Sequence, residues 1–318
     1  MNPAQHALLP GGRWHFQHGP IDIVIAAEGD PAALQAAHAA AWARFETVLV
    51  ELVAELPLLR RPVLDASCCP LQGAIARRMW LACAPLLQQA GGFITPMAAV
   101  AGAVAQELVV AYQRPGIRRA WVNNGGDIAL HLAPGQQARV GLVADLARVE
   151  ADALQRTATG QLRTDAAFTV LADGPVRGVA TSGWRGRSLS RGIADSVTVL
   201  AASAAMADAA ATVIANAVDV ADAGIQRRPA CEVRDDSDLG AIPVTVAVPP
   251  LPPAVVQQAL RAGLAVARRL QQRGLVHAVL LVCQGAMLRL PPVAELRVTL
   301  RAPLPAASAA RVGSVIAA

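Results

Sequence analysis

The sequence predicts an α+β fold in which packed helices cover a largely antiparallel sheet. Alanine-rich segments of helical character fill the chain up to about Tyr112, and short β-like runs take over from Ala120. Helix and strand units then follow from Ser196 to Leu290. Helices first and turn-separated strands afterwards is the pattern of an α+β chain with antiparallel pairing. Hydrophobic residues make up 54% of the 318 and charged residues 16%. That charged share is well below the ~25% of an ordinary soluble chain, so a large core is available.

In order, His15–Ala26 reads as a strand following the Gly19-Pro20 turn. Asp30-Pro31 opens a helix to about Leu56, with Pro31 suited to its first turn. A second helix covers about Leu71 to Ala90 and stops at Gly91-Gly92. A third runs from about Met97 to Tyr112, where Thr95 can cap and Pro96 can take the first helical position. Strands are expected at Ala120–Asn123, Ile128–Leu132, Ala138–Val143, Phe168–Ala172 and Val176–Thr181. Ser196–Leu200 leads into the helix Ala204–Val218; Ile242–Val248 precedes the helix Pro253–Gln272. Val276–Cys283 and Ala286–Leu290 form a last pair across Gln284-Gly285. The expected organisation is an N-terminal arm over 1–13, one domain over 14–302, and a flexible Ala/Pro/Ser-rich tail over 303–318.

Composition removes several functions. All 28 basic residues are arginine. Without lysine there is no Schiff-base chemistry, no lysine nucleophile and no GxxxxGK phosphate loop. The net charge of +5 comes from scattered arginines with few aromatics, which does not describe a nucleic-acid surface. The uncharged stretch Met79–Gln106 is interrupted by Pro85, Gly91-Gly92 and Pro96 before it can span a bilayer. The start, Met1–Arg13, lacks a charged segment followed by an apolar one. Five cysteines with no CxxC pair suggest reduced, mostly buried thiols. Together these point to a cytoplasmic protein without membrane or nucleic-acid partners. The six histidines show no zinc spacing, and His15 and His18 read as surface residues.

Three segments could carry chemistry. Asn123-Asn124-Gly125-Gly126-Asp127 joins two strands; its glycines allow a tight turn and its side chains supply donors and acceptors. The same letters also describe an ordinary hairpin. Thr181-Ser182-Gly183 continues into Arg185, Arg187 and Arg191, a loop suited to phosphate or another anion. A solvated loop is the alternative. In the helix Ala204–Val218, Asp208, Thr212 and Asn216 recur at four-residue spacing and share a face. Asp, Thr and Asn are poor helix formers, unlike the residues of a usual solvated stripe. A carboxylate and a hydroxyl on adjacent turns suit a hard cation.

The order of these motifs carries a resemblance. Asn-Asn-Gly-Gly-Asp-Ile at 123–128, Ala-Thr-Ser-Gly at 180–183, Val-Thr-Val at 197–199 and Ala-Asp-Ala-Ala-Ala-Thr at 207–212 resemble the ApbE-type flavin transferases. Those enzymes move FMN from FAD to a protein threonine using magnesium. The segments 93–105 and 178–188 look more closely like an uncharacterised ApbE-like family of bacteria and archaea, over most of residues 14–290. The resemblance implies an ApbE-like, T-fold-related domain, with Mg2+ and FAD or FMN as cofactors. It implies Asp208 and Thr212 as metal ligands, with a carbonyl near Ala98–Ala101 as a third. It places Asn123–Asp127 and Thr181–Gly183 along the flavin-nucleotide site. The function implied is a flavin- or nucleotide-handling protein acting on a phosphate-bearing small molecule, as a Mg-dependent FMN transferase or phosphoanhydride hydrolase. The alternative is a noncatalytic ligand-binding or assembly protein on the same scaffold, and the resemblance leaves room for a homodimer. Two departures stand out. Gly102 occupies the place where the transferases usually carry lysine. Their histidine and Asp-Pro-x-Thr-Gly stretch before the Val-Thr-Val strand is missing, and only Trp184–Asp195 intervenes.

Overall fold

The structure is a computed structural model and describes residues 3–142, 166–291, 297–300 and 315–317. Its centre is a nine-stranded sheet in the order β1 (Gln5–Leu9), β2 (Arg13–His18), β3 (Ile21–Gly29), β4 (Ile117–Asn124), β5 (Asp127–Leu132), β8 (Gly178–Ser182), β9 (Ser196–Ala201), β12 (Ala278–Cys283) and β13 (Ala286–Leu290). Between β5 and β8 in sequence lie β6 (Gln137–Leu142) and β7 (Ala166–Leu171). These join β14 (Arg297–Leu300) and β15 (Val315–Ala317) in a separate four-stranded sheet, ordered β14-β7-β6-β15. A small ribbon pairs β10 (Gln226–Pro229) with β11 (Pro243–Ala247). Every described pairing is antiparallel.

Five longer helices pack on one face of the large sheet: α1 (Pro31–Ala54), α2 (Ala74–Cys83), α3 (Val100–Val109), α4 (Ala204–Ala217) and α5 (Pro253–Gln272). The face opposite the helices, on β5, β8, β9 and β12, buries Ile128, Val179, Leu200 and Leu280 against Val140, Phe168 and Val170 of the small sheet. All six residues of β9 and of β12 are therefore buried. Alternate residues serve the two cores: Val197 and Val199 face the helices, while Leu200 joins the inter-sheet core. An α+β architecture with a large antiparallel sheet is what the sequence predicts.

Several expectations are refined. The segment foreseen as an N-terminal arm holds strand β1, paired along its whole length with β2 across the Gly11-Gly12 turn. The helix expected over Leu71–Ala90 is α only from Ala74 to Cys83 and tightens to a 3-10 turn at Ala84–Leu86, where Pro85 cannot donate to the α ladder. Val143 lies outside the described residues. So does the 303–318 tail apart from Val315–Ala317, which is not a loose end but pairs with β6. Cys83 and Cys283 are buried, but Cys68 and Cys231 are exposed, so the thiols are not mostly buried. His18 is 6% exposed and packs edge-on against Phe45, and His15 pairs with Asp22 at 3.0 Å. Neither is a plain surface histidine. Among the described residues no helix is long and apolar enough to cross a membrane.

Candidate functional site

The β4–β5 hairpin turns through Gly125 and Gly126 at φ +65° and +114°. Two positive φ values in a two-residue loop match the right-handed twist of the flanking strands, and glycine tolerates them. Asn124 and Asp127 face each other across the turn, and Asn123 Oδ1 accepts from the Gly126 N–H at 2.8 Å. The motif is a hairpin, as its letters allow. It is also more than that. Alternation from Val122 and Ala129, which belong to the helix-side core, turns Asn124 and Asp127 toward the helices.

There they meet the first turn of α3. Asn124 Nδ2 donates to the Ala101 carbonyl at 3.1 Å. The Gly102 N–H donates to Asp208 Oδ2 at 2.9 Å. Asp208 reaches across from α4 to do so. α3 has no capping side chain of its own at Ala99, so Asp208 supplies from another helix the acceptor that an N-cap residue normally provides. The approach is close because Gly102 lacks a side chain: a Cβ there would lie 2.2 Å from the Ala204 carbonyl oxygen and 2.9 Å from Asp208 Cβ. The lysine of the transferases has no room at this position. Alanines on α4 allow the same proximity elsewhere, with Gly178 of β8 against the backbone at Ser203-Ala204.

Asp127 is 9% exposed, and its Oδ1 accepts from the Thr181 N–H at 3.1 Å. Burial pushes its carboxyl up to about 7, against the downward pull of that N–H and of the Arg187 guanidinium. Asp208 keeps partial access to solvent. Its carboxyl is nonetheless held well above the ordinary range, by burial first and by the neighbouring Asp127 second, against the Ala101 and Gly102 N–H groups. The Asp127 carboxylate is thus close enough to Asp208 to raise it, which makes the two acidic neighbours.

The remaining predicted residues divide. Thr181 contributes its N–H to Asp127, while its hydroxyl bonds that of Thr198 at 2.8 Å. Ser182 continues the β8–β9 ladder opposite Val197, and Gly183 lets the loop backbone pass close to the Asp195 carbonyl. Arg187 lies against the hairpin tip, so near that a Cβ on Gly125 would meet its Nη2 at 2.0 Å. Arg185 is elsewhere: its Nε is 3.6 Å from Asp195 Oδ1 and its guanidinium stacks on Trp184. Arg191 is near enough to Asp219 to lower it slightly, after Arg227. Of the three, Arg187 is the one whose guanidinium is seen against the turn. Thr212 stands one turn beyond Asp208 on the same face of α4. Asn216 leaves the stripe's expected role and anchors the arginine loop, accepting from the Arg191 N–H at 2.9 Å and Ser190 Oγ at 3.2 Å. Among the described residues no group of three or more His, Cys, Asp or Glu side chains converges on one point.

A family model described as AbpE bacteria matches residues 6–289. The chain belongs to this ApbE-like family. Among relatives of the family, the UPF0280 protein of Methanospirillum hungatei is 35% identical over 150 residues, covering 47% of this chain and 53% of that protein. The UPF0280 protein of Methanothermobacter thermautotrophicus is 39% identical over 130 residues, 41% of this chain and 44% of its own. That of Methanosarcina acetivorans is 28% identical over 227 residues, 70% and 79%. The chain spans about half the length of the first relatives it matches. The crystal structure of the ApbE protein from Thermotoga maritima aligns over 90% of this chain and 97% of that one, at 12% identity and a TM-score of 0.47.

Proposed function

We propose that this ApbE-like protein handles a flavin or nucleotide through its phosphates, at a hard-cation site built on Asp127 and Asp208. The observation that carries the reading is Asp208 held on the first turn of α3, near enough to Asp127 to be raised by it, with Arg187 against the adjoining turn. The donors fit Mg2+ in kind, being oxygen atoms from Asp208, Asp127 and, one turn on, Thr212. They fit in charge as well, because a divalent cation offsets the burial that raises both carboxyls and the push of Asp127 on Asp208. Mg2+ takes about six oxygen ligands, so waters and ligand phosphate would complete its shell.

Bound there, Mg2+ would polarise a phosphoryl oxygen as a Lewis acid, the chemistry of a phosphoanhydride hydrolase or FMN transferase. The chain's own contribution is orientation. The Ala101 and Gly102 amides hold Asp208, the Thr181 amide holds Asp127, and Arg187 supplies fixed positive charge for an anionic group. The second reading, a ligand-binding protein without turnover, is favoured by Gly102, where no lysine side chain fits.

Thermal-shift and calorimetric scans against FAD, FMN, nucleotides and pyrophosphate, with and without Mg2+, test both readings. A Mg2+-dependent ligand that is consumed on incubation supports the enzyme. Stable Mg2+-dependent binding without turnover supports the binding protein. No Mg2+-dependent binding of any phosphate-bearing ligand overturns the proposal.

A further inference from the structure

We infer that the segment 234–238, between β10 and β11, is a positioning element that holds the two halves of this site at a set spacing. Two hydrogen bonds leave it in different directions. Arg234 Nη2 donates to the Arg187 carbonyl at 2.7 Å, fixing the backbone of the arginine that lies on the Gly125 turn. The Thr95 hydroxyl donates to Asp238 Oδ2. Thr95 is 3% exposed and immediately precedes the 3-10 turn Pro96–Ala99 that runs into α3, whose first amides hold Asp208.

The Thr95 bond is informative because of what the hydroxyl forgoes. At the entrance to a helical turn, threonine ordinarily accepts from an amide two or three residues on. Here it makes no capping bond and is turned to Asp238 instead. Asp238 also stands near the carboxylate pair's surroundings: the buried Cys83 thiol is raised by burial, then by Asp208 and by Asp238. The Asp236–Arg60 pair at 3.1 Å and the Thr245 bonds to Ser190 and Arg191 hold the same unit to both flanks. One short stretch thereby links the arginine loop to the lead-in of α3.

This inference rests on the proposed phosphate site for its functional meaning. The distance between Arg187 and the Asp127–Asp208 pair would decide which length of phosphate chain reaches both. Arg234 and Asp238 would act through Arg187 and Thr95 without touching the ligand.

The test compares wild type with Thr95→Val, Thr95→Ser and Arg234→Ala. Affinities for FMN and pyrophosphate are measured with Mg2+, and amide exchange is followed at 95–102 and 184–189. Thr95→Val and Arg234→Ala should each weaken Mg2+-dependent binding about three- to tenfold, as loss of a modest hydrogen bond implies, with Thr95→Ser close to wild type. Exchange should quicken at 95–102 in Thr95→Val and at 184–189 in Arg234→Ala, with β9 and β12 still protected. If wild type binds neither probe, the function reading has failed, and exchange alone then decides the positioning role. Unchanged exchange in both segments, or equal affinities in wild type, Thr95→Val and Arg234→Ala, overturns it.

Discussion

Asp127→Asn isolates the cost of burying the carboxylate pair. In the folded protein the Asp127 carboxyl is pushed from the ordinary value near 3.8 up to about 7, burial being the largest cause. The folded state therefore holds a proton that the unfolded chain has released across that interval. Stability from this group is fully present below the unfolded value and is lost as pH rises through the folded one. The whole interval is worth at most about 4 kcal/mol, and the part between pH 5 and pH 8 about 3 kcal/mol. Asparagine keeps an oxygen for the Thr181 N–H and cannot ionise. Urea unfolding at pH 5, 6, 7 and 8 with chelator present should show wild type weakening toward pH 8 and Asp127→Asn weakening about 3 kcal/mol less. Added Mg2+ at pH 8 should restore stability to wild type and not to the variant. Parallel pH dependences in the two proteins would refute the reasoning.

Asp208→Ala removes the acceptor for the Ala101 and Gly102 amides, so it should cost about 1–2 kcal/mol, as loss of a helix cap does, besides ending Mg2+-dependent binding; chemical denaturation and calorimetry read the two effects. Gly102→Ala places a Cβ 2.2 Å from the Ala204 carbonyl and should cost roughly 1–3 kcal/mol by overpacking, measured as a fall in the denaturation midpoint. Asn216→Ala frees the backbone at 190–191, and amide exchange there should quicken while Mg2+ affinity changes little.

Local patterns were legible where chemistry is local. Helix α5 follows the predicted bounds, and the Asn-Gly-Gly-Asp hairpin was readable from its turn residues. The Asp208 and Thr212 spacing correctly put both on one face of α4. What the sequence withheld depends on the third dimension. Nothing in the letters says that Asp208 caps a helix a hundred residues upstream, because the uncapped start at Ala99 and the room left by Gly102 appear only when α3 and α4 meet. Arg185, Arg187 and Arg191 look alike in a row, and only the folded chain sets Arg187 against the Gly125 turn and Arg185 beside Asp195 and Trp184. Thr95 carries a capping signal, and a partner at Asp238, distant in sequence, redirects its hydroxyl. Strand β1 is not legible in the sequence, because an exposed edge strand needs no alternation of apolar and polar residues.

The central claim is that Asp127 and Asp208, both raised chiefly by burial, give up protons when they bind a divalent cation. It is tested most directly by titrating Mg2+ calorimetrically at pH 6.5, with pyrophosphate present, in two buffers of different ionisation enthalpy, after subtracting the protons that Mg2+ releases from pyrophosphate alone. Ligand carboxyls must lose their protons when metal binds, so about one to two protons should be released per Mg2+ by wild type, and Asp208→Asn should lose both the binding and the release. Mg2+ binding without proton release, or binding unchanged in Asp208→Asn, would contradict the account.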